Sequence, residues 1–316
     1  MDTPWNAYMQ VGIVQFMMYP EAMAGNDDAL QSIEHLAADP LFEVLEITRI
    51  NNPAVREQVR QVADMAHIDL GFGAQPPVLM NKLNSAALDE DARRAAVADI
   101  KLSIDQAYEH GCKLMAMIDG LGSWPGEAGR ERALEQVTRS LNELCEYAER
   151  QARDYQLAIS LETFDRSIEK KSLLGPTRDA VDVARRVRER HANFGLTIDL
   201  SHIPLLGESI RDSLTQAQDV LLHTHIGNCQ MRDPALASYG DKHPRFGAPH
   251  TENDTEALAE FLTVLFEIGY FQKPVPTRRP VVTFEVRPLP GERQDILIAN
   301  CRRVLEDAWA RVPASK

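Results

Sequence analysis

The chain has few cysteines and no pattern that uses them. Cys112, Cys145, Cys229 and Cys301 lie far apart, so there is neither a CxxC zinc motif nor a dense disulfide framework, and they read as reduced thiols. Long hydrophobic runs are also missing. Residues 1–10 lack basic side chains ahead of the first apolar stretch, and 11–18 is too short and interrupted for a signal or membrane segment. No membrane association is expected, and a cytoplasmic location follows by default. Positive charge is scarce, with 34 Lys and Arg against 47 Asp and Glu, and the formal charge of -13 repels polyanions. No Lys/Arg stripe with interleaved aromatics is present, so nucleic acid is not an expected partner. Low-complexity segments and linkers are absent as well.

What is there is a regular alternation. The chain has 316 residues, 44% of them hydrophobic and 26% charged, ordinary for a globular protein with a large core. Strand-like runs recur at 10–17, 41–48, 67–73, 113–119, 157–162, 195–199, 220–226 and 280–286. Between them lie stretches with apolar residues at helical spacing, among them 92–108, 133–152, 177–190 and 255–268, and a last one at 295–310 follows the eighth run. The stripe Ala133, Val137, Leu141, Leu144 and Ala148 reads as core packing. His110-Gly111 and Ile268-Gly269 supply helix stops just before the next strand or connection. Eight βα repeats predict a parallel sheet closed into a single-domain (β/α)8 TIM barrel over residues 1–316. An open doubly wound sheet would usually carry a Gly-rich phosphate loop after its first strand, and Val14-Gln15-Phe16-Met17-Met18-Tyr19-Pro20 has none.

Four of the runs end on a side chain able to bind a metal: Ser160-Leu161-Glu162-Thr163, Thr197-Ile198-Asp199-Leu200, His223-Thr224-His225-Ile226 and Thr283-Phe284-Glu285-Val286. In a parallel barrel these strand ends open on one face, where chemistry sits. Glu162, Asp199, His225 and Glu285 therefore form one expected site for a divalent ion. Buried unpaired carboxylates are too costly to gather without cause. Three carboxylates and one imidazole are a hard, oxygen-rich set suited to Mn²⁺, with Mg²⁺ or Co²⁺ as alternatives. Such an ion chelates adjacent oxygens of a hydroxy ketone or aldehyde and stabilises the enediolate left when the neighbouring C–H proton departs. Glu162 and Glu285 are the expected acid and base, and epimerisation, isomerisation and β-elimination all remain open from that step.

Further residues are candidates for substrate contact. His202 and Arg287 lie just past two of the ligands and serve either substrate or structure. Lys82, His243 and Arg245 sit on two long connections, 73–87 and 228–254, which overhang the barrel mouth. Asp119, at the end of the fourth run, either hydrogen-bonds substrate or caps the next loop. His223 reads as a packed or hydrogen-bonded neighbour of His225, and His35, His110 and His191 as surface residues.

The strings Leu161-Glu162, Asp199-Leu200-Ser201-His202, His223-Thr224-His225-Ile226-Gly227 and Phe284-Glu285-Val286 resemble the xylose isomerase-like TIM-barrel superfamily, the sugar phosphate isomerases and epimerases. The resemblance spans nearly the whole chain, and in site logic the D-tagatose 3-epimerase and psicose epimerase branch is the most similar. It implies Glu162, Asp199, His225 and Glu285 as Mn²⁺ or Co²⁺ ligands, Glu162 and Glu285 as the acid/base pair, His202 as a substrate contact, and a sugar or keto-sugar substrate. It also allows a homo-oligomer. The ketose 3-epimerases usually carry an Arg shortly after the ligand His on a compact loop, whereas Arg232 here opens a long insertion. Gly240-Asp241-Lys242-His243-Pro244-Arg245-Phe246-Gly247 and Phe284-Glu285-Val286-Arg287-Pro288 look more like relatives that cleave 3-keto sugars by β-elimination, so a lyase is the alternative reading. Those that cleave C-glycosides place a His where Phe164 stands. Asp241-Lys242-His243 resembles an Asp-x-His pair of the endonuclease IV branch, but strands three and four end in Gly71-Phe72-Gly73 and Ile118-Asp119-Gly120 without that branch's further His ligands. A non-catalytic sugar-binding barrel is the remaining alternative.

Overall fold

The computed structural model describes residues 3–26 and 29–313. Eight strands form a closed parallel barrel in chain order: β1 (Gln10–Val14), β2 (Val44–Ile47), β3 (Asp69–Gly73), β4 (Leu114–Met117), β5 (Ala158–Glu162), β6 (Phe194–Asp199), β7 (Leu221–Gly227) and β8 (Val281–Glu285). The ring shuts where Gln10 to Ile13 pair with Val281 to Phe284. Its register is regular apart from a shift in β6 between Leu196 and Thr197 against β7.

The outer helices are α1 (Gln15–Met18), α2 (Ala29–Ala37), α3 (Pro53–Ala66), α4 (Gln75–Met80), α5 (Glu90–His110), α6 (Arg130–Gln151), α7 (Thr177–Arg188), α8 (His202–Leu206), α9 (Ile210–Ala217), α10 (Thr255–Glu267) and α11 (Gln294–Arg311). Each long helix lays an apolar stripe on the strands, and Ala133, Val137, Leu141, Leu144 and Ala148 of α6 are all fully buried. Helix α5 starts where the Asp89 carboxylate accepts from the Ala92 amide at 2.8 Å, and stops at Gly111, whose φ of 77° suits glycine. Among the described residues no helix is long and apolar enough to cross a membrane. All four cysteines are free and buried.

Three expectations change. The first apolar run, expected as strand over 10–17, leaves the sheet after Val14 and turns into α1, because a buried strand and a buried helical turn carry the same apolar signature. The connection after β3 is not an open loop: α4 occupies it, with Pro76 in its first turn, where a missing N–H costs nothing. His110 and His191 are buried rather than on the surface, His110 against Phe72 and His191 with Nδ1 2.9 Å from Glu149 Oε1. His35 is exposed as expected.

Polar groups replace apolar ones inside the upper barrel. Ser160 and Thr197 share a hydrogen bond of 2.6 Å between β5 and β6, and Glu46 of β2 reaches across to β7. Gly71 makes that reach possible, since a Cβ there would lie 2.8 Å from Glu46 Cγ.

Candidate metal and substrate site

Strands β5, β6 and β8 end on Glu162, Asp199 and Glu285, and His225 stands two residues before the end of β7. Parallel register then brings them to one level, with Asp199 beside His225 and Gly227 beside Glu285. One donor atom from each of the four lies within 4.8 Å of the others, and all four residues are buried. His225 Nδ1 is 3.2 Å from Glu162 Oε1 and 2.8 Å from Glu285 Oε2. One ring nitrogen carries at most one proton, and Glu285 Oε2 accepts no hydrogen bond from any described residue. Three carboxylates around a single ring nitrogen, with no Lys or Arg among them, could hold a hard divalent cation. The residues present fit such an ion.

The far side of His225 is held by a residue that the sequence reading passed over. Glu46 accepts from His225 Nε2 at 3.0 Å with one oxygen and from His223 Nε2 at 2.7 Å with the other. This keeps the proton on Nε2 and leaves Nδ1 facing the carboxylates, the arrangement by which carboxylates orient metal-binding imidazoles. Burial alone would lower the His225 pKa, but in the metal-free protein Glu46, Glu162 and Glu285 outweigh it and hold the ring well above its ordinary range. Burial would raise Glu46, yet His225 and His223 keep it well below the usual carboxylate range.

A second network borders the first. Asp241 Oδ1 lies 3.1 Å from His202 Nε2 and 2.8 Å from His243 Nε2, while Oδ2 takes the Lys170 ammonium at 2.6 Å. His202 is fixed further by donating from Nδ1 to the Thr163 carbonyl at 2.7 Å. Burial works against charge on His202, but Asp241 and Asp199 push it up to about 10; on His243 burial is likewise overcome by Glu285 and Asp241, which raise it to about 9. Asp199, His202 and His243 form a further group with metal-binding atoms in reach of one another, as do Glu46, His223 and His225. Both already have internal partners. The loop carrying Asp241 and His243 is tied down by Asn253, which donates to the Leu200 and Gly227 carbonyls at 2.9 and 3.1 Å, and by the Arg287 amide on the His243 carbonyl at 2.7 Å.

A cavity holding about 710 Å³ of empty space, its open mouth included, lies against this centre. His225, Glu285, His243 and Arg287 line it, with Gln75, Glu169, Lys170, Asp241 and Lys242. Gln75 donates to Glu162 Oε2 at 2.8 Å. His202 stays behind the cavity wall, fully buried under Phe164 at a ring separation of 4.4 Å. Besides His202, three more expected substrate contacts are not brought to the cavity. Lys82 is exposed on the turn after α4, and Arg245 turns away to Glu292 at 3.1 Å. Asp119 is fully buried and takes Ser123 Oγ, Ser172 Oγ and the Leu174 amide, so it ties loops together, and burial raises its pKa. Gln75, Lys170 and Glu46 went unread. Glu46 alone gave a signal, as a carboxylate inside the apolar run Val44-Leu45-Glu46-Ile47.

Solved structures of similar fold span almost the whole chain. D-psicose 3-epimerase from Clostridium cellulolyticum H10 is 19% identical, with a TM-score of 0.67 over 97% of this chain and 100% of that one. 3-Keto-D-glucoside 4-epimerase from E. coli is 15% identical, with a TM-score of 0.67 over 94% and 99%. An L-ribulose 3-epimerase is 16% identical, with a TM-score of 0.70 over 96% of each chain. The sequence has no significant match among curated proteins. The profile of the xylose isomerase-like TIM barrel family matches residues 30–273, about three quarters of the length, and the chain belongs to that family.

Proposed function

We propose that this protein is a divalent-metal-dependent isomerase or epimerase of a sugar or sugar derivative, working by removal of a proton α to a carbonyl. The observation that carries the reading is the convergence of Glu162 and Glu285 on His225 Nδ1 beside the cavity. Glu162, Asp199, His225 and Glu285 would hold the ion, with Mn²⁺ the preferred fit to the oxygen-rich donors and Mg²⁺ or Co²⁺ alternatives. When bound, it supplies Lewis-acid charge next to the carbonyl. The names of the structural neighbours, epimerases of ketoses and of a keto-glucoside, support a sugar as substrate.

The chain's own groups divide the work. Glu162 and Glu285 come from strands three places apart in the ring, so they would approach a substrate held at the ion from two directions. One takes the α proton and the other returns it, each contributing roughly 10²- to 10⁴-fold. Gln75 holds Glu162 through its Oε2. Arg287 and Lys242 line the same cavity and offer cationic donors to substrate oxygens. A second reading, β-elimination from a 3-keto glycoside, begins with the same proton removal. It is favoured by His243, whose Nε2 lies 3.5 Å from Glu285 Oε1 and can serve as acid to a leaving oxygen.

The test is NMR of Mn²⁺-loaded protein in D₂O with free ketoses and 3-keto glycosides, following deuterium uptake and products. Uptake with an epimer or an aldose–ketose pair identifies an isomerase, whereas loss of the aglycone to an unsaturated ketone identifies a lyase. Glu162→Gln and Glu285→Gln should each lose at least about 100-fold in exchange while keeping the native circular dichroism spectrum. Undiminished exchange in both would overturn the mechanism.

A further inference from the structure

The cavity has two unlike sides. One carries the carboxylates, imidazoles and cations described above. The other is built from Phe16 and Met17 of α1, Met23 from the turn that follows, Leu79 and Met80 of α4, and Phe164 just past β5. No polar side chain of α1 or the turn after it is among the lining residues; Gln75 of α4 gives its amide nitrogen to Glu162 and keeps a buried, unpaired Oε1. A free sugar can offer such a wall only the C–H patches between its hydroxyls.

The wall is placed deliberately by the fold. A Cβ at Gly73 would sit 2.5 Å from Phe16 Cζ, so β3 gives up a side chain to admit that ring. Met80 is 57% exposed at the rim, where packing of the folded protein does not require a large apolar residue. Three of the six wall residues are methionines, whose unbranched thioethers adapt to flat ligands and make favourable contacts with aromatic rings, and the two phenylalanines offer ring faces and edges.

We propose that the substrate is a sugar-derived ketone bearing an apolar ring, the ring lodged against Phe16, Met17, Met23, Leu79, Met80 and Phe164 while the keto sugar faces the carboxylates. The proposal rests on the carbonyl chemistry of the preceding subsection for the reacting end of the ligand; the ring-binding wall is independent of it. No redox or covalent step is added.

The experiment pairs turnover with binding. α-Proton exchange in D₂O by the Mn²⁺-loaded full chain is compared for methyl and p-nitrophenyl 3-keto-β-D-glucopyranoside. Calorimetry on the same protein compares methyl and p-nitrophenyl β-D-glucopyranoside, which have no ketone and cannot react. Burial of the ring should favour the aryl member by about 30-fold in kcat/KM and at least about 10-fold in Kd. In Leu79→Ser/Met80→Ser, or Met80→Ser alone if the double variant does not fold, both ratios should fall toward one. Aryl and methyl members within threefold in both measurements overturn the proposal, as do undiminished ratios in the folded variant. Exchange without aryl preference leaves the proton-transfer reading standing and removes this one. Aryl preference in calorimetry with no exchange on any ketone does the reverse.

Discussion

Replacing Glu46 separates the role of the proposed metal ligands from that of the group behind them. The two oxygens serve different rings, with His223 Nε2 at 2.7 Å and His225 Nε2 at 3.0 Å, and the side chain is 3% exposed. Glutamine in its place keeps the shape but has one acceptor and one donor, so only one imidazole can go on donating. His223 can yield, because its Nδ1 has no hydrogen-bond partner and can take the proton instead, leaving a buried N–H unpaired. That costs about 1–3 kcal/mol of stability and leaves His225 in its native tautomer. Alanine removes both acceptors. The metal-free protein should then lose about 3–5 kcal/mol, the range for breaking a buried ion pair, and Mn²⁺ should bind about 10- to 100-fold more weakly because His225 is no longer oriented. Titration followed by the electron paramagnetic resonance signal of free Mn²⁺, with urea unfolding of the metal-free proteins, gives both quantities. The expected order of affinity is native, Glu46→Gln, Glu46→Ala. A folded alanine variant binding Mn²⁺ within threefold of the native protein would refute the reasoning.

Asp241→Asn should destabilise by about 3–5 kcal/mol, since Lys170, His202 and His243 lose their shared anion; adding Lys170→Met should recover part of this, and additive losses in urea melts would show that the pair does not interact. Burial holds His110 down to about 4 against an ordinary value near 6.5, with Glu109, Arg56 and Arg60 as smaller influences. The unfolded chain therefore takes this proton first: the contribution, about 3 kcal/mol, is complete above pH 6.5 and is lost as pH falls through 4. His110→Phe should flatten the acid limb of the stability profile by that amount, and an unchanged limb rejects the assignment. Gly73→Ala drives a methyl group into Phe16 and should cost about 1–3 kcal/mol in unfolding while raising KM for substrate; a neutral effect on both would mean the Phe16 ring moves freely.

The barrel was legible because each strand of a parallel sheet is buried on both faces and stands out as an apolar run. The same property blurred its edges. Nothing in the composition of 14–18 distinguishes the end of β1 from α1, and Pro76-Pro77 suggested a loop where the prolines open a helix. Metal-binding candidates were readable at strand ends, where position fixes direction. Glu46 escaped because the interest of a lone carboxylate in a strand depends on what faces it across the ring, and those partners are His223 and His225, far along the chain. Direction on loops is set by tertiary contacts. His243 and Arg245 are two residues apart, yet one faces the cavity and the other Glu292. For the same reason, Lys82 and Asp119 offered no hint that one ends in solvent and the other beneath Ser123 and Ser172.

The bond between Glu46 and His225 joins residues 179 positions apart, and this bears on how the protein is made. A ribosome delivers β2, β5 and β6 before β7 and β8. Until then Glu46, Glu162 and Asp199 have been synthesised without His223, His225 or Glu285, so the growing interior is acidic and lacks the imidazoles that will neutralise it. A nascent chain stopped after β6 has like charges at its centre and two raw sheet edges at β1 and β6. The first six strands are thus a poor independent folding unit. Closure of the ring awaits the last third of translation, when the imidazoles of β7 arrive.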